Sequence, residues 1–317
     1  NLRFTATNLT LVDAATNTLT YGDAASITLS IPSTASSGVE FSTRPSGRIY
    51  DADNNTVYNA SNVIELSSTD VTLSGTLTTT AITGTYSWSS YPVATGTAGA
   101  RSVTATIQGT NISVTQNFTL SAGVATQLAL VTPAAGAVNR VAFTTQPVVQ
   151  LQDSAGNNVA AVSYTISFAS SAGATAAGAS TQTDANGRAT FTNASIYGAV
   201  GSYTLTFSCS SLTAAVQNIT LAHGATNKIV ITNAPSINVN NAVLTSQPIV
   251  TIQDQDGNTI DDGTDSTQTV TLSSSDANIG GTISMAAVAG VANFSGKGVK
   301  LEGLVGNRTL TATILSP

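Results

Sequence analysis

The chain has 317 residues and a formal net charge of -6, and only 8% of its residues are charged. This composition provides no basic surface for nucleic acid or for an anionic membrane. Hydrophobic residues make up 41% of the chain, which is enough for packed cores, and Ser and Thr together number 89. Thr and Val favour half-buried strands, and Gly, Asn and Asp favour turns, so the composition predicts an all-β protein. No apolar run approaches about 18 residues, so no membrane-spanning segment is predicted.

The first 23 residues resemble strands that recur later. NLRFTATNLT (1–10) resembles NRTLTATIL (307–315), and NTLTYGDAAS (17–26) resembles NITLAHGAT (218–226). We interpret residues 1–23 as the last two strands of a preceding repeat, or as a divergent start of the first domain. Two explanations of the matching ends stay open. The chain is a window of a longer array, which we favour, or the N-terminal strands of one molecule complete the C-terminal sandwich of the next.

A 17-residue motif then occurs three times, at spacings of 102 and 101 residues. Its copies are FSTRPSGRIYDADNNTV (41–57), FTTQPVVQLQDSAGNNV (143–159) and LTSQPIVTIQDQDGNTI (244–260). The alternation in VVQLQ predicts a half-buried strand that Pro147 precedes. Asp153 and Gly156 predict a turn, because Asp bonds the following backbone and Gly allows positive φ. Asn54 replaces this glycine in the first copy, and Asn is the next most tolerant residue.

Two more segments follow each copy of the motif, and a third follows the first two copies. A glycine stands four residues before a large aromatic residue, in the pairs Gly84 and Trp88, Gly187 and Phe191, and Gly290 and Phe294. We expect a turn at the glycine and the aromatic ring between two sheets. An alternating strand follows, in which we align RSVTATIQG (101–109), GSYTLTFSC (201–209) and NRTLTATIL (307–315). Closing strands NFTLSAGVAT (117–126) and NITLAHGAT (218–226) end the first two repeats, and the single cysteine, Cys209, is interpreted as a small buried residue.

The period divides the chain into three predicted β-sandwich repeats. They are repeat 1 (24–123), repeat 2 (124–223) and repeat 3 (224–317), the last apparently without its last strand. The junctions SAGVAT and LAHGAT are short and contain no Gly/Ser- or Pro-rich linker. Short junctions favour a stiff rod of domains over a flexible string.

Two segments of repeat 2 resemble a known family. QPVVQLQDSAGNNV (146–159) and NGRATFTNASIYGAVGSYTLTFS (186–208) resemble the bacterial immunoglobulin-like repeats of invasin- and intimin-type surface proteins. Similar modules occur in surface-layer and other cell-envelope proteins. The resemblance is good in repeat 2, fair in repeat 3 and weak in repeat 1, where SGRIYDADNN departs from the pattern. It implies tandem seven-stranded sandwiches without a cysteine pair, extracellular display, and a spacer or adhesive role.

One acidic run, DQDGNTIDDGTD, is a candidate metal site. Its carboxylates could supply oxygen ligands to calcium, from Asp254, Asp256, Asp261, Asp262 and Asp265. The spacing is not that of an EF-hand, and two solvated Asp-rich turns are the explanation that we favour. No catalytic residues are predicted, because the only histidine, His223, lies at a repeat junction. We therefore do not expect an enzyme.

These observations lead us to expect an extracellular structural protein at the cell surface, an immunoglobulin-like repeat array that builds a surface layer, filament or envelope rod. The first alternative is the stalk of a bacterial adhesin that presents a binding domain elsewhere. A phage or virion decoration module and an enzyme-appended module follow. Expected partners are copies of the chain, other cell-envelope proteins and surface glycans, with calcium the one candidate ion and no cofactor required. Nine Asn-x-Ser/Thr sequons leave glycosylation open.

Overall fold

The computed structural model describes residues 17–161, 163–235 and 238–314. These ranges contain 28 strands, so the predicted all-β class is confirmed. Their one helical element is a short 3-10 helix at Thr264–Thr267. No helix within them is long and apolar enough to cross a membrane. The strand-like segment predicted at residues 1–10 lies outside the described residues.

The chain divides into two compact units. Unit 1 comprises Asn1–Thr126 and Gln152–Val159, and unit 2 comprises Gln127–Leu151 and Ala160–Pro317. The names repeat 1, repeat 2 and repeat 3 are kept for the predicted segments. The division into three domains stays a prediction, because the units follow a different boundary.

Repeat 1 forms eleven strands of unit 1. They are β1 (Ser26–Ile27), β2 (Thr34–Ser36), β3 (Val39–Glu40), β4 (Ser46–Tyr50), β5 (Val63–Ser67), β6 (Thr72–Ser74), β7 (Thr78–Thr80), β8 (Thr85–Ser87), β9 (Val93–Thr95), β10 (Gly99–Ile107) and β11 (Ser113–Ser121). The sheet orders are β1-β4-β8, β2-β11-β10-β5-β7 and β3-β9-β6. Ile49 and Tyr86 of the first sheet share one buried core with Ile64 and Val103 of the second, as in a β-sandwich.

Repeat 2 forms nine strands. They are β12 (Gln127–Thr132), β13 (Val148–Gln152), β14 (Thr165–Ser170), β15 (Ala174–Ala177), β16 (Ser180–Gln182), β17 (Arg188–Thr190), β18 (Ser195–Gly198), β19 (Gly201–Ser208) and β20 (Ala215–Leu221). The sheet orders are β12-β13-β17, β16-β14-β19-β20 and β15-β18. Phe168, Phe191 and Phe207 form an aromatic core, with ring centroids 5.5 to 5.8 Å apart. Cys209 is buried and unpaired, as predicted.

Repeat 3 forms eight strands. They are β21 (Lys228–Asn233), β22 (Ile249–Gln253), β23 (Thr269–Ser274), β24 (Asn278–Gly280), β25 (Ser284–Ala286), β26 (Val291–Asn293), β27 (Lys300–Glu302) and β28 (Leu310–Ile314). The sheet orders are β21-β22-β26, β25-β23-β28 and β24-β27. In repeats 1 and 2 the strand equivalent to β28 is flanked on both sides. Among the described residues β28 pairs with β23 alone.

The predicted turn and core positions are confirmed. Pro45, Pro147 and Pro248 directly precede β4, β13 and β22, and their carbonyls accept hydrogen bonds from the backbone N–H groups of Trp88, Phe191 and Phe294. These three aromatic side chains are at most 1% exposed. Gly84, Gly187 and Gly290 have φ angles of 71°, 73° and 75°, which glycine adopts readily.

The predicted alignment of the alternating strands is wrong by one or two residues. Ala105 pairs with Leu66, Phe207 with Phe168, and Ala312 with Leu272, each opposite the second buried residue of the neighbouring strand. Gly99, Gly201 and Gly306 are therefore equivalent, and all three have positive φ angles between 135° and 151°. Alternation repeats every two residues, so by itself it does not determine the register of a strand.

Candidate functional site: the repeat junctions

The Asp-containing turns of the 17-residue motif have one geometry in all three copies. We call them the Asp-loops, at residues 51–55, 153–157 and 254–258. Their fourth residues, Asn54, Gly156 and Gly257, have φ angles of 64°, 82° and 91°, which confirms the predicted need for Gly or Asn. Each of these residues donates its N–H to the backbone carbonyl of the loop's aspartate, at 3.1 to 3.2 Å.

The aspartate carboxylate accepts hydrogen bonds from two segments of the chain. In the second copy, Oδ1 of Asp153 accepts from the N–H groups of Ala155 and Asn157, both at 2.9 Å. Its Oδ2 accepts from the Asn157 amide and from the N–H of Gly123, both at 2.8 Å. Asp51 and Asp254 repeat this pattern with Gly22 and Gly224. We call Gly22, Gly123 and Gly224 the junction glycines.

The asparagine that ends the Asp-loop reaches the repeat before its own. Asn157 Nδ2 donates to the Gly96 carbonyl at 2.9 Å, and its Oδ1 accepts from Ala98 N–H at 2.7 Å. Asn258 makes the same two bonds to Gly198 and Val200, both at 2.9 Å. We call residues 96–99, 198–201 and 303–306 the Gly-loops. An Asp-loop, a junction glycine and a Gly-loop together form a junction network.

Two junction glycines lie too close to backbone for a side chain. A Cβ atom on Gly123 would lie 2.1 Å from the Ser37 carbonyl oxygen, and one on Gly224 would lie 2.8 Å from that of Asn139. The close approach therefore requires glycine, whereas the N–H that bonds the aspartate is present in any residue except proline.

The junction network between repeats 2 and 3, all within unit 2, has further contacts. Asn139 Nδ2 donates to the carboxylates of Asp254 and Asp256, both at 2.7 Å. Arg140 donates two hydrogen bonds of 2.7 Å to Asp256, and its guanidinium lies 4.6 Å from the centre of the Tyr197 ring. Bidentate pairing and stacking on an aromatic ring are favourable contacts of arginine.

The networks hold their carboxylates in the ionised form. The N–H groups of Gly22 and Asn55 lower the pKa of Asp51. Burial raises the pKa of Asp153 and Asp254, but the hydrogen bonds that these carboxylates accept outweigh burial and leave both pKa values lowered. The pKa of Asp254 falls to about 2.

The five predicted calcium ligands fall into three groups. Asp254 and Asp256 belong to the junction network, where Asp254 accepts hydrogen bonds from five N–H groups. Asp265 accepts from the Thr226 hydroxyl at 2.6 Å and from the Gln268 amide at 2.8 Å. The five carboxylates therefore do not surround one point, and calcium binding stays a prediction.

The remaining two, Asp261 and Asp262, lie beside His223. His223 Nε2 is 2.9 Å from Asp262 Oδ1 and 3.5 Å from Asp261 Oδ1, and Nδ1 is 2.8 Å from the Gly224 carbonyl oxygen. One potential ligand atom from each of the three side chains lies within 4.8 Å of the others. Burial lowers the pKa of His223, but the Gly224 carbonyl and the two carboxylates raise it more. Asp262 lies 39 residues after His223, and the sequence gives no signal that brings the two side chains together.

The Gly-loops are the functional residues that sequence reasoning missed. Their sequences, GTAG, GAVG and GLVG, share a Gly-x-Ala/Val-Gly pattern at nearly the same period as the Asp-loops. That pattern could have identified them as part of the repeat. Their pairing with the next Asp-loop could not be read from the pattern, because about 60 residues separate the two.

Comparison with known proteins agrees with this architecture. A family model described as SMCHD1 Ig-like domain 6 matches residues 123–223. Repeat 2 therefore has an immunoglobulin-like fold. A search of curated proteins finds no match to the chain.

The solved structures similar to the chain include adhesins of the invasin and intimin type. FdeC, an Escherichia coli adhesin, has a TM-score of 0.36 and 17% identity over 93% of this chain and 95% of that one. InvE, a Yersinia pseudotuberculosis adhesin, has a TM-score of 0.30 and 18% identity over 66% of this chain and 65% of that one. Invasin, a bacterial integrin-binding protein, has a TM-score of 0.33 and 15% identity over 92% of this chain and 57% of that one.

This chain thus spans less than two thirds of the InvE and invasin chains. Glycoside hydrolases also match, over about a quarter of their own length. Similarity at this level therefore extends to proteins of different function, and no function is transferred from it.

Proposed function

We propose that the chain is a structural spacer at the cell surface, a run of immunoglobulin-like repeats whose junctions resist bending. The observation that carries this proposal is the junction network, which recurs with the same atoms at both repeat boundaries. A network of this kind holds the Asp-loop of one repeat against the Gly-loop of the repeat before it. It supports mechanical continuity along the chain.

The energetics of the network support this role. A neutral hydrogen bond contributes about 1 kcal/mol, and one to a charged group about 1.5 to 3 kcal/mol. Bending between repeats 2 and 3 that pulls Asn258 from its Gly-loop loses two hydrogen bonds and loosens the Asn258 amide that Asp254 holds. Several bonds must break together, so small rotations at the junction are costly.

Two finer roles follow from the proposal. As an adhesin stalk, the chain carries a binding domain that lies elsewhere, whereas in a surface layer or filament its repeats contact other subunits. Both roles need stiff junctions, so the junction network supports each of them equally. We therefore propose the spacer role and leave the choice between stalk and layer to experiment.

The test compares junction flexibility in the double variant Asn157→Ala and Asn258→Ala with that in the native chain. Spin labels are placed in the sheets of repeats 2 and 3, and pulsed electron resonance measures the distribution of distances between them. We expect a clearly broader distribution in the double variant, with each repeat still folded by circular dichroism. Asn111→Ala, at an exposed asparagine outside the networks, is the matched control. Equal widths in all three proteins would contradict the spacer proposal.

A further inference from the structure

His223 meets the loop that follows the third copy of the 17-residue motif, beside the junction of repeats 2 and 3. It directly precedes the junction glycine Gly224, and Asp261 and Asp262 directly follow the motif. The His223 side chain is 14% exposed, whereas those of Asp261 and Asp262 are 73% and 83% exposed. The protein therefore holds the imidazole in place, while the two carboxylates are open to an ion from solvent.

The tautomer of His223 follows from one hydrogen bond. Its Nδ1 lies 2.8 Å from the Gly224 carbonyl oxygen, which can only accept, so Nδ1 carries a proton. A neutral imidazole then presents the lone pair of Nε2 to Asp262 Oδ1 at 2.9 Å and to Asp261 Oδ1 at 3.5 Å. Ionised carboxylates are acceptors as well, so these three atoms need a cation between them. That cation is either a proton on Nε2 or a metal ion.

The separations of these three atoms suit a small metal ion. Ligand atoms bound at about 2.0 to 2.2 Å to a tetrahedral zinc ion lie roughly 3.3 to 3.6 Å apart. The potential ligand atoms of His223, Asp261 and Asp262 all lie within 4.8 Å of one another. Small rotations of the two exposed carboxylates therefore bring them to bonding positions, with water as the fourth ligand. The bond from Nδ1 to a backbone carbonyl is also the usual one for a metal-bound histidine, because it fixes the ring.

The loop is anchored, but its two carboxylates are not engaged by other donors. Ile260 is 2% exposed and donates its N–H to the Ile252 carbonyl at 2.9 Å. Asp261 and Asp262 contact His223 and accept no other hydrogen bond from the described part of the chain. The aspartates of the junction network, in contrast, are occupied by protein donors. The remaining oxygen lone pairs of Asp261 and Asp262 are therefore available to an ion.

The other two copies of the motif show that the fold does not require this contact. The position before the junction glycine and the position after the motif hold pairs of different chemistry there, Tyr21 with Tyr58 and Ala122 with Ala160. The two tyrosine rings lie 6.2 Å apart, so these positions are neighbours in the first copy as well. The same geometry thus accepts an aromatic pair or a pair of small residues. Only the third copy places an imidazole beside carboxylates.

We propose that His223 Nε2 and the carboxylates of Asp261 and Asp262 bind a divalent transition-metal ion of the zinc class. The imidazole favours such an ion over calcium, which prefers about six to eight oxygen ligands. His223 belongs to repeat 2 and the two aspartates to repeat 3, and all three lie in unit 2. The bound ion links these two repeats beside their junction network, so the site goes beyond the spacer function.

The experiment titrates zinc into the 317-residue chain, produced without a histidine tag, by isothermal calorimetry, with calcium in parallel. The double variant His223→Ala and Asp261→Ala carries the alanines that repeat 2 has at these two positions, and thermal unfolding verifies that it folds. Asp184→Asn, which removes a carboxylate from an exposed turn, is the control. The native chain and the control are expected to bind one zinc ion. The double variant is expected to bind zinc at least about tenfold more weakly, and calcium is expected to bind the native chain more weakly than zinc.

Because His223 is the only histidine, its imidazole nitrogens are observed directly by nuclear magnetic resonance. Zinc is expected to shift the Nε2 signal while Nδ1 keeps its proton. Zinc binding that leaves the Nε2 signal unmoved, or that the double variant retains, would overturn the proposal. A native chain that binds no zinc would also overturn it and would leave a proton as the cation. None of these outcomes affects the spacer function, because the junction networks do not include these three side chains.

Discussion

At the scale of single residues, the Asp254 carboxylate is the most connected group of a junction network. Replacing it with asparagine keeps the shape but puts an NH2 group where N–H donors converge. We expect Asp254→Asn to lower the free energy of unfolding by roughly 2 to 4 kcal/mol, because several buried donors lose their acceptor. Urea unfolding measures the change. Asp184→Asn is the control, since Asp184 accepts from two backbone N–H groups in an exposed turn outside the networks. A loss at Asp254 no larger than that at Asp184 would contradict this role.

The lowered pKa of Asp254 also predicts how stability depends on pH. Its folded-state pKa of about 2 lies below the ordinary value of 3.8. Ionised Asp254 therefore contributes stability at any pH above about 4, and this contribution disappears as the pH falls through about 2. The shift corresponds to roughly 2 kcal/mol. We expect urea unfolding between pH 5 and pH 2.5 to show a steeper loss of stability in the native chain than in Asp254→Asn. Parallel curves for the two proteins would contradict the assignment.

The sequence predicted individual residues well where their role is local. The core position of Trp88 followed from its equivalence with two phenylalanines, and the turn at Asn54 followed from backbone preference. It failed where two distant segments meet. From the sequence, the Asp153 turn is explained by backbone geometry alone. The structure shows that Asn157 of this turn also bonds Gly96, which lies 61 residues earlier, and nothing in the sequence pattern indicates that contact.

At the scale of structural elements, the junction glycines test how closely the segments approach. Gly123→Ala places a Cβ atom 2.1 Å from a backbone carbonyl oxygen, whereas Gly22→Ala meets nothing closer than 3.7 Å. Since backbone cannot yield as a flexible side chain does, we expect Gly123→Ala to cost about 1 to 3 kcal/mol. Gly22→Ala is expected to change stability by less than about 0.5 kcal/mol. Thermal and urea unfolding provide the comparison, and equal effects of the two substitutions would contradict it.

The loop at Asp261 and Asp262 offers a test of the calcium prediction. With His223 these residues form the most compact group of potential ligands that the described residues contain. If they share a cation, a metal concentration one hundredfold above its Kd stabilises the protein by about 2.7 kcal/mol. Calcium at this loop would shift thermal unfolding upward, and Asp261→Asn with Asp262→Asn would abolish the shift, whereas two solvated turns predict no shift in either protein.

Asp256→Asn is the control for the metal test and should retain the shift, since Asp256 is held by Arg140. Zinc is titrated in parallel, because a larger effect of zinc would identify the His223 imidazole as a ligand. A chain that responds to neither metal would refute the site.

At the scale of the whole molecule, the geometry of self-association decides between a linear array and a layer. A surface layer or filament requires contacts between copies of the chain, whereas a stalk requires none. Negative-stain microscopy of concentrated native chain separates the two roles. A chelator is included to distinguish assembly that depends on a metal from assembly that does not. Two-dimensional sheets would require lateral contacts as well and would favour the surface-layer role, whereas single molecules under every condition would favour the stalk.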